Sequence, residues 1–207
     1  PLAKGSLLKT ANRAELSLSL KGDKQNVSLI CMKIKNLGEI QSKKGAVEET
    51  LQRIVNEAEN SKAVIYENQE SLFFMFAPVK TKTFSNEKSV LKLAQDIKQI
   101  LDNHNKLAKQ KIDFGIALNY GTIVAKQEKD LFRFMSMGTL ITSAKKIAKI
   151  SFGEILLSEK IKERLMSDVK TEKHEKEGVD YYIIKEIRNK EVHGKFIGEF
   201  IKRMEGK

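Results

Sequence analysis

The chain has 207 residues, 41% of them hydrophobic and only two of them proline, which suits one compact domain with appended segments rather than a disordered chain. A single cysteine, Cys31, excludes an intramolecular disulfide and a cysteine-based zinc cluster, and no apolar run approaches the ~20 residues that a membrane span needs. The formal charge of +11 invites nucleic acid as a partner, yet only six of the 38 basic residues are arginine, and the lysines are spread over every segment as on a solvated surface.

Residues 1–21 read as a polar, basic lead-in with one short strand in the alternating patch at 16–20. The chain opens on Pro1 rather than Met and shows no signal peptide, which reads as a segment of a longer, cytoplasmic protein. Residues 27–34 are mostly apolar and bounded by polar ones, as a buried strand should be. Over Ala46–Asn60 the apolar positions Val47, Leu51, Ile54, Val55 and Ala58 follow a 3–4 spacing and predict a helix. Residues 63–66 and 71–76 flank a polar Glu67–Glu70 stretch and predict a hairpin. A second long helix is expected over 86–107. Residues 112–118 and 122–125 read as a strand pair bent at Gly121, and a third helix covers Leu140–Ile150. A short strand at 154–157 leads into a helix capped by Ser158. The charged stretch 170–177 reads as an exposed loop before a last strand at 179–187. The tail over 188–207 carries an amphipathic helix.

Strands and helices interleave, and two connections are hairpins. This order predicts an α+β fold with a ferredoxin-like βαββαβ core, additional strands and helices, and a mixed or antiparallel sheet with helices on one face. The domain proper is expected over 22–187.

Three stretches carry a resemblance. Gly22-Asp-Lys-Gln-Asn-Val-Ser-Leu-Ile-Cys-Met-Lys-Ile34 is a polar, Gly-led entry to a hydrophobic strand. Phe114-Gly-Ile-Ala-Leu-Asn-Tyr-Gly-Thr-Ile-Val124 pairs two glycines with apolar runs. Phe152-Gly-Glu-Ile-Leu-Leu-Ser-Glu159 precedes a helix. In order and spacing they are similar to the class III adenylyl and guanylyl cyclase catalytic domain. A related alternative, the diguanylate cyclase domain, lacks support because its Gly-Gly-Asp/Glu-Glu-Phe loop is missing at 67–71.

The resemblance implies conversion of ATP or GTP to a 3′,5′-cyclic nucleotide and pyrophosphate, with two divalent metals on two aspartates and sites formed between the halves of a head-to-tail dimer. It also implies an asparagine that orients the ribose and an arginine that stabilises phosphate charge. Here the first metal aspartate falls on Lys33, which cannot ligate Mg²⁺. The second falls on Glu70, a carboxylate that could hold one metal, and the glycine before it is Gln69. The asparagine falls on Thr142 and the arginine on Lys146, which keeps charge but loses the guanidinium fork. The purine-selecting positions fall on Tyr66 and Met135. Gly115, Gly121, Gly138 and Gly153 are kept.

These replacements predict a degenerate cyclase domain acting as a dimerising or regulatory module in signal transduction, as a homodimer or paired with another cyclase domain. Lys33 is expected to lie against Glu70, and an open apolar sheet face is expected where the partner docks. No cofactor is expected; Mg or Mn would matter only if activity remains. A divergent active adenylate cyclase using Glu70 is one alternative, and a basic nucleic-acid-binding domain is the other. His104, His174 and His193 have no metal-ligand spacing and read as surface residues. Cys31 reads as inert core.

Overall fold

In the computed structural model, which describes residues 8–41 and 45–188, these periodicities become a nine-stranded mixed sheet with helices on both faces. The elements are β1 (Ala14–Leu16), β2 (Asp23–Ile34), α1 (Leu37–Gln41), α2 (Ala46–Asn60), β3 (Val64–Asn68), β4 (Ser71–Phe76) and α3 (Pro78–Thr81). There follow α4 (Glu87–Leu107), β5 (Phe114–Glu128), β6 (Leu131–Ser136), α5 (Leu140–Ile150), β7 (Ile155–Leu157), α6 (Glu159–Leu165), β8 (Val169–Lys176) and β9 (Val179–Ile187). The core is the expected βαββαβ unit, β2-α2-β3-β4-α4-β5, with its strands ordered β3-β4-β2-β5 and all antiparallel. The sheet then extends through the parallel strand β7 to β9 and β8.

Alternation along the strands sorts the core into two layers. Ile30, Met32 and Ile34 of β2 face α2, α4 and α6, whose apolar stripes include Ile54, Val55, Ala94, Ile97 and Ile161. Val27, Leu29 and Cys31 face the other way, against α5 and the aromatic side chains of β4 and β6. Ser158 caps α6 as expected, its hydroxyl oxygen accepting from the Ile161 amide at 3.4 Å. Arg164 of α6 bonds the buried carboxylate of Glu87 at the start of α4 and lies 4.3 Å from the Tyr120 ring centre, which ties the two helices to β5.

Several expectations are corrected. Helices lie on both faces, because α5 has its own apolar stripe (Ile141, Ala144, Ala148) and must bury it on the face that α2 and α4 leave free. Gly121 is not a bend. Strand β5 runs straight through it, opposite Val27, and the missing side chain leaves room for Leu140, whose Cδ1 would lie 3.0 Å from a Cβ there. The hairpin after β5 turns at 129–130 and returns as β6. Residues 170–176 form an edge strand rather than a loop, since alternating charges suit a strand exposed along one side. The lead-in strand is Ala14–Leu16, not 16–20. His104 is buried, with Nε2 2.8 Å from the Gln110 carbonyl and Nδ1 2.8 Å from the Thr50 hydroxyl. The tail helix and His193 lie outside the described residues.

Candidate functional site

The end of β2 and the β3–β4 turn create the first half of the site. Lys33 follows Cys31 on the α5 side of the sheet, and the register sets it opposite Ser71. Its neighbour across the strand pair is therefore the turn residue Glu70, and the two side chains form an ion pair with a direct hydrogen bond. The lysine side chain is 16% exposed and the glutamate 43%, so the pair sits at the lip of the sheet. Gln69 holds the turn at φ 56°, a conformation that glycine adopts more cheaply.

A residue missed in the sequence completes this half. Lys145 of α5 donates to Asn68 Oδ1 at 2.9 Å and lies 3.5 Å from Gln69 Oε1. Asn68 in turn donates to the Tyr66 hydroxyl at 2.7 Å. One signal was available: Lys145 lies four residues after Ile141 and three before Ala148, both buried, so its stem shares their face of the helix. Beneath these lysines burial pushes the Cys31 thiol up to about 12, so it carries no thiolate at neutral pH.

The other positions lie apart. Thr142 is exposed and its hydroxyl donates to the Thr139 carbonyl at 3.1 Å. Lys146, one turn on, is also exposed and borders a cavity of about 320 Å³ lined by Asn119, Ser158 and Asp180. Among the described residues no hydrogen bond or ion pair joins either to Lys33 or Glu70. Tyr66 is a core residue, its ring edge-on to Phe134 with centroids 5.2 Å apart. Met135 is half-buried on β6, opposite Val124.

These groups do not fit a divalent cation. Mg²⁺ and Mn²⁺ need several oxygen donors, whereas here an ammonium already satisfies the one carboxylate and a second ammonium stands close by. No cluster of three or more His, Cys, Asp or Glu suited to a metal occurs among the described residues.

The hydrogen bond from Lys33 holds the Glu70 carboxyl below its ordinary range; desolvation opposes it, and the charges of Lys33 and Lys145 add to the lowering more weakly. A depressed carboxyl stabilises the fold above the unfolded-state pKa and loses that contribution as pH falls through the folded value. Wild type is therefore expected to lose more stability than Lys33→Met between about pH 7 and about pH 3, as read by urea unfolding. Because Glu70 is partly exposed the difference should stay under about 1 kcal/mol. An equal loss in both proteins would show that the pair contributes nothing.

The second aromatic layer is closed within the single chain. Strand β1 pairs with β6, and Ile65 of β3 donates to the Asn12 carbonyl at 2.8 Å, so residues 9–16 bridge β3 to β6. The expected open apolar face is thus absent among the described residues: Val64, Tyr66, Phe73, Phe132 and Phe134 are all buried. A cavity of about 770 Å³ runs along this bridge beside Tyr66 and Glu67.

No family model matches the chain. No curated protein matches it. Solved structures do. The non-canonical dimeric guanylyl cyclase domain of the RhoGC fusion protein from the aquatic fungus Blastocladiella emersonii aligns at 15% identity over 81% of this chain and 98% of that one, with a TM-score of 0.65. The guanylate cyclase domain of RhGC from Catenaria anguillulae, in complex with GTP, aligns at 14% identity over 81% and 100%, with a TM-score of 0.64. The adenylyl cyclase CyaB from P. aeruginosa aligns at 15% identity over 82% and 98%, with a TM-score of 0.59. The chain has the fold of a class III nucleotidyl cyclase catalytic domain.

Proposed function

We propose that this chain is a cyclase-fold signalling domain without cyclase activity, which works by associating with a second cyclase-fold domain, either a copy of itself or a different one. The observation that carries this reading is the Lys33 ammonium bound to Glu70. Both residues fall where the cyclase resemblance puts metal-binding aspartates, and an internal cation now neutralises the one carboxylate that remains. The attacking hydroxyl and the triphosphate would then have no metal to activate or clamp them. Thr142 offers no amide and Lys146 no guanidinium, so the other half of the chemistry is also weakened. Tyr66 is committed to packing and cannot read a base edge from its buried position.

Association is supported by the neighbours. The same fungal guanylyl cyclase domain is described in both dimeric and monomeric forms. No described helix is long and apolar enough to cross a membrane, and a cytoplasmic site of action is part of this reading.

The purified chain is expected to release no cyclic nucleotide from ATP or GTP with either Mg²⁺ or Mn²⁺, measured by chromatography at high enzyme concentration. Turnover that disappears in Glu70→Ala would replace this reading with a divergent active cyclase.

A further inference from the structure

We propose that residues 8–16 are an intramolecular strap that fills the slot between β3 and β6, and so closes the surface on which a second copy of the domain docks. The inference rests on the association reading above.

The strap uses its main chain on both sides. Toward β3, Ile65 N donates to Asn12 O at 2.8 Å; toward β6, Phe132 N donates to Arg13 O at 3.0 Å and Ser17 N to Phe134 O at 2.7 Å. The register sets Ala14, Glu15 and Leu16 against Phe132, Arg133 and Phe134, while Arg13 bridges Ile65. With these pairings β3, β4, β2, β5, β6 and β1 form a closed ring around the Tyr66–Phe134 contact. Tyr66 directly follows Ile65 and Met135 directly follows Phe134. The strap therefore lies between the two positions that correspond, by resemblance, to base-reading residues at a dimer boundary.

The strap is held differently from the other strands. Its main anchor is one carboxylate: Glu59 Oε1 accepts from the Thr10 hydroxyl at 2.6 Å and from the Ala11 and Asn12 amides at 2.7 and 3.2 Å. Gln52 adds a reciprocal pair with the Lys9 main chain, both bonds at 2.8 Å. Few side chains reinforce it, since only Leu8 and Ala14 of the strap are buried. A cavity of about 770 Å³ lies along its flank. The link to β2, residues 17–22, carries Leu18 at 97% exposure and has no regular structure, so the strap can leave without disturbing β2.

Its departure would uncover two unpaired sheet edges and the apolar pair beneath them. Such edges take up another chain readily, and here the partner is a second copy presenting the same surface. If only the open form associates, both copies must be open, and the apparent dissociation constant is the intrinsic one divided by the square of the open fraction. Breaking the latch must then tighten the dimer as the square of the gain in open fraction.

The test uses the full chain with Glu59→Ala, with Glu59→Gln keeping an acceptor, and with Ala14→Glu ejecting the strap by charge. Amide exchange at Ile65 and Phe132 is expected to quicken about ten-fold in Glu59→Ala, while β2 and α4 stay protected. Sedimentation equilibrium should show the dimer dissociation constant falling about a hundred-fold in the same variant and in Ala14→Glu, the square of the gain in opening, with Glu59→Gln near wild type. Faster exchange with unchanged or weaker association would overturn the strap while leaving a dimer formed elsewhere intact. Unchanged exchange in both opening variants would overturn it too. A monomer at every concentration in every variant would overturn the strap's role and the self-association half of the reading above, leaving only pairing with a different cyclase-fold domain.

Discussion

Gly115→Ala is expected to cost the domain about 3 kcal/mol or more, the largest effect of any single methyl group added to it. Gly115 lies on β5 opposite Lys33, where the end of α5 crosses the sheet. A Cβ there would lie 2.0 Å from the Ala148 carbonyl oxygen and 2.9 Å from that of Ser151. Both atoms are main chain, so no rotamer change can relieve the overlap. The helix must lift instead. Lifting separates Ala144 and Ala148 from the aromatic layer and draws Lys145 away from Asn68. Urea unfolding should show a lower midpoint with an unchanged slope, since the fold retains its architecture but loses close packing. A loss below about 1 kcal/mol would mean that α5 is held less tightly than its packing indicates.

The legibility of the sequence followed the strength of local patterns. The helix over Ala46–Asn60 was readable to the residue because five apolar positions keep one period and a glycine precedes them. Hairpin β3–β4 was equally plain, since polar turn residues separate two apolar runs. Strand β5 was misread because Asn119-Tyr120-Gly121 has the composition of a turn. Its glycine serves the packing of Leu140, a contact no local pattern encodes. Strand β8 was hidden by its charges, which describe its exposure and not its backbone. The site showed the same division. Lys33 and Glu70 were placed by the cyclase-like motif and by the polar stretch that separates two apolar runs. Lys145 carries no motif of its own, since the position matching the arginine is its neighbour Lys146. The bridge made by residues 9–16 could not be foreseen, as its pairings with β3 and β6 are main-chain bonds to strands fifty and more residues away.

Lys33→Asp is expected to turn a metal-indifferent domain into one that Mn²⁺ stabilises. In wild type the ammonium and Glu70 satisfy each other, so a divalent cation would have to displace an internal one. Aspartate at 33 removes that competitor and faces Glu70 with a second carboxylate across the same strand pair. Without metal the two like charges repel, and the variant should be less stable than wild type by about 1–2 kcal/mol, a modest figure because Glu70 is partly exposed. A divalent ion that binds only the folded form reverses this, giving about 2.7 kcal/mol when its concentration is a hundred times the dissociation constant. For a domain of this size that is a rise of roughly 5–10 °C in Tm. Lys145 remains nearby and opposes the metal, so adding Lys145→Gln should increase the response. Thermal melts with and without Mn²⁺ decide the matter. A folded Lys33→Asp protein indifferent to Mn²⁺, or a wild type that gains as much, would show that Lys33 is not what keeps a metal out. Cyclic nucleotide production is not expected to return with the metal, because Thr142 and Lys146 still lack the amide and the guanidinium fork that the chemistry uses.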